Sequence, residues 1–181
     1  MNGTLNELGQ LVGELIPDWV EPDEPQRSNL AGRYCSLEPL SPDAHSRQLF
    51  EAFSQDITGA NWTYLPYGPF KDSGQFHLWL VEQAEKPDPL FFAVIDATSG
   101  IAVGVATFMR IAASMGSMEI GHIHFSPLLQ GTPASTEALY LMIKYIFNLG
   151  YRRCEWKCNA LNQASRNSAL RLGFTFEGIF R

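Results

Sequence analysis

Positive charge is scarce in this chain. Its 181 residues include 13 Lys and Arg against 19 Asp and Glu, a formal net charge of −6. The nearest approach to a basic cluster is Lys144, Arg152, Arg153 and Lys157, too scattered to outweigh the acidic total. A protein that neutralises phosphates needs a basic patch, so free nucleic acid and anionic membranes are not expected as partners. Cysteine is also scarce: Cys35, Cys154 and Cys158 make an odd count with no Cys-x-x-Cys spacing. Reduced, mostly buried thiols in a reducing compartment are expected, with Cys154 and Cys158 on one face of a strand. No apolar run approaches the length of a membrane span, and no basic stretch precedes an apolar one at the N-terminus, so the expected location is cytoplasmic. Repeats and low-complexity tracts are missing too. What is present, 45% apolar and 18% charged residues, suits one packed domain.

Residues 1–30 read as an extended arm lying on a single domain at 31–181. Leu5, Leu8, Leu11, Val12, Leu15 and Ile16 suit one or two amphipathic turns, and Pro17, Pro22 and Pro25 then forbid a helix. Alternation predicts a strand over 32–40. Ser41-Pro42 opens a helix to about Phe53, and Asp72 or Ser73 caps another to about Glu85, with Phe76, Trp79 and Leu80 on one face. Between them, residues 59–70 carry too much Gly, Pro and aromatic character for one regular element. Strands follow at 90–96, 101–111 and 117–125. Thr132-Pro133 starts a long helix that Gly150 ends, striped by Ala138, Leu139, Met142, Ile143, Ile146 and Leu149. A strand over 152–158, a helix over 162–172 and a last strand over 174–180 complete the order. An antiparallel meander feeding a βαβ unit predicts an α+β fold, a mixed, mostly antiparallel sheet flanked by helices.

Three features carry chemistry. The loop Gln130-Gly131-Thr132-Pro133-Ala134-Ser135 leads into a helix N-terminus, whose unpaired N–H groups and dipole suit a pyrophosphate; it also reads as an ordinary capped turn. Asn162 begins a helix and Ser165 follows one turn later on the same face, although Asn162 also reads as a plain N-cap. His122 and His124 share a strand face, but no third ligand stands at a supporting spacing, so no metal is expected. Cys154 and Cys158 lack a neighbouring base and read as packing residues.

Taken together, Met118-Glu119-Ile120-Gly121-His122-Ile123, the loop from Gln130, Thr136-Glu137-Ala138, Tyr151 to Trp156, Asn162, Ser165 and Leu172-Gly173-Phe174 resemble the GNAT family of acetyltransferases, in its ribosomal-protein N-acetyltransferase branch. The resemblance covers about residues 30–181. It implies acetyl-CoA as co-substrate, no metal, and direct attack of a neutral amine, borne by a small molecule or a protein N-terminus, on the thioester. It implies that Phe125 and Ser126 bind pantetheine through the main chain. Backbone N–H groups of Gln130, Gly131, Thr132, Ala134 and Ser135 would hold the pyrophosphate, and Asn162 would touch pantetheine. Glu119 would be the base and Ser165 the acid. Trp62, Tyr64, Tyr67 and His122 would line the acceptor site, against an equal reading of the aromatics as core and of Glu119 as an Arg partner. Where the family's loop carries two small flexible positions, this chain has Pro133 and Ser135, and Pro133 offers no N–H. Where relatives place an acidic Tyr, it has Ala169. Relatives also continue through a further strand, so the resemblance implies a fold lacking its final strand, with a raw edge near 174–181 that invites a homodimer. The competing expectation is a coenzyme-binding or regulatory protein of the same shape without turnover.

Overall fold

The computed structural model describes residues 3–181; the first two residues of the expected arm lie outside the described residues. In chain order the strands are β1 (Thr4–Leu5), β2 (Leu11–Val12), β3 (Leu30–Ala31), β4 (Cys35–Pro39), β5 (Leu90–Asp96), β6 (Ala102–Ala112), β7 (Ser117–Phe125) and β8 (Arg153–Glu155). The helices are α1 (Pro42–Phe53), α2 (Ser73–Glu85), α3 (Pro133–Asn148) and α4 (Gln163–Arg171). Strands β3 to β8 form one sheet in that order, antiparallel throughout except for the parallel pair β7–β8.

The sheet is buried on both faces, and β5 shows why its sequence is almost continuously apolar. Leu90, Phe92 and Val94 join Ala138, Leu139, Met142 and Ile146 of α3 in one core. Phe91 and Ala93 point the other way, to Leu49 and Phe53 of α1 and Phe76 and Leu80 of α2. Caps fall where the sequence puts them: Ser41 accepts from Ala44 N–H, Asp72 from Gln75 N–H at 2.9 Å, and Thr132 from Ser135 N–H at 3.2 Å.

Four expectations are corrected. The arm forms no amphipathic turn. Its first part is the β1–β2 hairpin, turned by Asn6, whose Oδ1 accepts from Leu8 and Gln10 N–H, so Leu5, Leu8 and Leu11 stay exposed. Further along, Pro22 and Pro25 are buried, and Gln26 N–H donates to the Tyr145 hydroxyl at 3.0 Å. The strand expected over 32–40 starts only at Cys35, as β4; residues 32–34 turn back to β3 because the Glu137 carboxylate of α3 accepts the N–H groups of Arg33, Tyr34 and Cys35. The strand expected over 152–158 stops at Glu155. Residues 174–181 form no strand: β8 is three residues long and offers no ladder to extend, and Gly178 sits at φ 148°. The edge expected there as a dimer seam is therefore not a strand; Arg153 instead grips Glu177 through two N–H groups, at 2.8 and 2.6 Å.

No helix among the described residues is long and apolar enough to cross a membrane. The arm also accounts for the charge. Residues 1–26 hold six acids (Glu7, Glu14, Asp18, Glu21, Asp23, Glu24) and no Lys or Arg, so the remainder is electrically balanced.

Glu137 fastens the β3–β4 hairpin to α3 through charge-assisted bonds. Desolvation opposes its ionisation, yet the N–H groups of Arg33, Tyr34 and Cys35 lower its pKa. Removing one such acceptor leaves three N–H groups unpaired. Glu137→Ala is expected to cost about 2 kcal/mol, read as a lower urea midpoint with unchanged slope.

Candidate active site

Strand β7 is irregular where it matters. Opposite it, Val105 pairs with His124 and Thr107 with Gly121, so β7 holds one more residue than β6 in that interval. The extra residue is a β-bulge at His122, whose φ is 47°, and Thr107 Oγ1 donates to the Gly121 carbonyl at 3.0 Å beside it. Before the bulge, Met118 and Ile120 face the α3 core. After it, Ile123 and Phe125 do so. The bulge thus keeps His122 and His124 on the same face as Glu119, against the rings of α1, α2 and the aromatic loop. His122 stacks on Tyr67 with 11° between planes, and its Nδ1 lies 3.0 Å from the Tyr67 hydroxyl. His124 packs on Trp62 and Phe53, ring centroids 3.7 and 4.3 Å away.

A second irregularity lies opposite. Arg110 of β6 also has φ 47°, and the Asp88 carboxylate accepts the N–H groups of Arg110 and Ile111, each at 3.0 Å. This turns the Arg110 guanidinium onto Glu119 at 2.6 Å. Glu119 is 2% exposed, and the same Oε2 accepts from Lys157 Nζ at 2.7 Å. Lys157 also contacts Glu155. Oε1 of Glu119 has no donor among the described residues.

β8 pairs with β7 only from Ser117–Arg153 to Glu119–Glu155. Beyond that the two chains part, leaving a groove of about 500 Å³ between β7 and residues 156–159, floored by the start of α3 and walled by α4. His122, His124, Gln130, Gly131, Ser135, Asn162 and Ser165 line it, as do Tyr64, Lys157, Cys158 and Arg171. Among the described lining residues there is no Asp or Glu.

Each expected residue can now be placed. Gly131 (φ 71°) and Ala134 have N–H groups with no acceptor among the described residues. The N–H groups of Gln130, Thr132 and Ser135 are already bonded, to Ser126 O, Leu129 O and Thr132 Oγ1. Ser126 has its main chain committed to Val103, Leu129 and Gln130, while its fully buried hydroxyl is unpartnered. Phe125 O accepts from the Gln130 side chain at 2.8 Å. Asn162 caps α4 through Ser165 N–H, as its plainer reading required, and also lines the groove. Ser165 Oγ accepts from Trp156 Nε1 at 2.9 Å. Tyr64 spans the groove, its hydroxyl donating to Leu161 O at 3.2 Å. Trp62 does not line the groove; it is 7% exposed, within the α1–α2 core. Tyr67 stands behind His122, and burial raises the pKa of its hydroxyl. The Arg partner that the sequence allowed for Glu119 is Arg110 of β6, whereas Lys157, which reaches it from beyond the end of β8, was missed. Cys158 was expected to be buried, but it is exposed on the groove because the chain leaves the sheet before reaching it.

The residues present fit a thioester of coenzyme A. The start of α3 carries no acid in its first turn and offers two free N–H groups, and the gap beside β7 takes an extended chain.

A sheet that opens beside a helix N-terminus, with histidines on one side and a serine on the other, offers room for an extended ligand with an anionic end. The acetyltransferase (GNAT) domain model matches residues 36–175, and the chain belongs to that family of acetyl-CoA-dependent N-acetyltransferases. It is 43% identical to a GCN5-related N-acetyltransferase from Brucella melitensis, covering 92% of this chain and 76% of that one with a TM-score of 0.89. To a GNAT-family acetyltransferase from Chromobacterium violaceum it is 38% identical, over 92% and 83% of the two chains, with a TM-score of 0.84. RimL, a ribosomal L7/L12 alpha-N-protein acetyltransferase, shares the fold at 18% identity, over 88% and 87%, with a TM-score of 0.71. A search of curated proteins finds no match.

His124 yields a stability test. Desolvation lowers its pKa from 6.5 to about 4, with Asp56 opposing. Between those values the unfolded chain binds the proton and the folded one does not, so stability falls as pH drops from 6.5 toward 4. The loss over that interval is on the order of 3 kcal/mol. Urea unfolding at pH 7 and pH 5 should show a smaller drop for His124→Asn than for the native chain.

Proposed function

We propose that this enzyme moves the acetyl group of acetyl-CoA onto a primary amine of a small molecule or a protein N-terminus by direct attack. The observation that carries the reading is the groove, which Gly131, with its free N–H beside the α3 start, and the bulged His122 both line. Gly131 and Ala134 hold the pyrophosphate, joined by Gln130, Thr132 and Ser135 if their internal bonds exchange. Phe125, Ser126 and Asn162 border the pantetheine path. The coenzyme supplies an acetyl thioester; the residues supply position and proton transfer.

The amine must lose a proton, and two groups stand near enough to the gap to take it. His122 lines the groove directly. Burial, followed by the nearby Arg110 charge, lowers its pKa, with Glu119 opposing, so the ring is neutral at pH 7 with a lone pair to use. Glu119 does not line the groove; it takes the proton through its unbonded Oε1 and a water, or serves by orienting Lys157. Ser165, fixed by Trp156, lies across the groove and protonates the leaving thiolate. Tyr64 and the rings behind His122 shape the acceptor side. The lining has no carboxylate, so the chain's acidity, carried by its arm, gives the groove no preference for a polycationic acceptor.

Calorimetry with acetyl-CoA is expected to show micromolar binding, weakened at least about tenfold by Gly131→Pro, which removes a free N–H and forces the loop out of its φ of 71°. With an amine acceptor, His122→Asn is expected to lower kcat on the order of 10²-fold with unchanged coenzyme affinity. The native kcat/KM should hold from pH 8 to 6.5 and fall below it as His122 protonates. Absence of coenzyme binding overturns the acetyl-transfer reading.

A further inference from the structure

The groove contains an amine of its own. The chain has four lysines, Lys71, Lys86, Lys144 and Lys157, and of these Lys157 alone lines the groove. It lies just past the point where β7 and β8 part, on the face that carries His122. Its Nζ is held by two carboxylates, Glu119 Oε2 at 2.7 Å and Glu155 Oε2, and Glu119 is held in turn by Arg110. An ammonium cannot attack a thioester; a neutral amine can. A site that strips protons from amines beside a bound thioester would acylate this one unless something kept it charged.

We propose that Lys157 is a latent self-acetylation site, and that Glu119 and Glu155 keep it unreactive by clamping its ammonium. The proposal rests on the reading of the groove as the acetyl-CoA site. In the step held off, neutral Nζ attacks the acetyl carbonyl carbon. An N–C bond forms, the C–S bond breaks, and the proton lost from nitrogen leaves with the coenzyme thiol. The product is an acetamide on Lys157, which would no longer pair with Glu119 and would narrow the groove. Desolvation opposes the charge on Lys157, but the two carboxylates override it and raise the pKa. The clamp is ionic, so loss of either carboxylate weakens it and loss of both removes it.

The test incubates the native chain, Glu155→Gln, Glu119→Gln and the double variant with acetyl-CoA at pH 8, and reads acetyl occupancy at each lysine by peptide mass spectrometry. Calorimetry on the same samples measures acetyl-CoA binding. Glu155 lies on the strand edge with its side chain 24% exposed, so its variant keeps the test open if removal of the buried Glu119 prevents folding. Lys71, Lys86 and Lys144 report background chemical acetylation. The expected result is at least a tenfold rise at Lys157 over those three in a carboxylate variant, suppressed by excess coenzyme A and abolished in a Lys157→Arg background. Coenzyme binding with Lys157 no more acetylated than the other lysines in every variant overturns the proposal and leaves the groove reading intact. Failure of the native chain to bind acetyl-CoA overturns both.

Discussion

Strand β7 is flanked by β8 from Ser117 to Glu119 and then runs on to Phe125 with no strand on that side. A sheet interior cannot leave main-chain groups bare without cost, so a strand exposed along one edge within the fold calls for water or an extended ligand. The opening depends on where β8 ends. Arg153 bridges Glu155 and Glu177, while Lys157 bridges Glu155 and Glu119. The last paired residues, Glu119 and Glu155, are thus also the two that clamp Lys157. One ionic junction sets both the depth of the gap and the charge of the amine at its mouth.

Around that junction the fold divides its labour by sheet face. The α3 side gives a helix whose start stays open to an anion, since no first-turn acid competes and Pro133 fixes the entry. The α1–α2 side gives an aromatic bed. Trp62, Tyr67, Phe91 and Phe53 bury the two histidines among rings, and that desolvation lowers the pKa of both, with the Arg110 charge adding to it at His122. Glu137 then fastens α3 to the β3–β4 hairpin at the far edge of the sheet.

What could be read in the sequence was what depends on near neighbours. Thr132-Pro133 and the stripe from Ala138 marked α3, the run from Leu90 marked a strand buried on both faces, and Ser41 and Asp72 marked helix starts. The family, too, was legible, because the order of short motifs from Met118 to Phe174 is a local record of the whole. What could not be read depends on distant partners. A strand exists only if another accepts its bonds, so residues 156–158 and 174–180, apolar enough for strands, have none. Glu119 was identified as a candidate base or an Arg partner; the Arg is Arg110 of β6, but which Arg it is, and the second partner Lys157 from beyond β8, depend on contacts far apart in sequence. The aromatic loop was assigned to the acceptor wall, and its largest ring, Trp62, proved to be core. The bulge does leave a trace in the sequence, since the apolar positions run Met118, Ile120 and then Ile123, Phe125, so the alternation slips by one residue at Gly121-His122.

That bulge has an evolutionary corollary. Gly121 and His122 are consecutive residues on one face, so His122 is an addition to β7 rather than part of its rhythm. Deleting its codon would leave Ile120, Ile123 and Phe125 facing α3 and His124 facing the rings, and would restore a regular ladder with β6. A lineage carrying this fold can therefore gain or lose a basic group in its acyl-transfer groove in a single-codon step, without repacking either core.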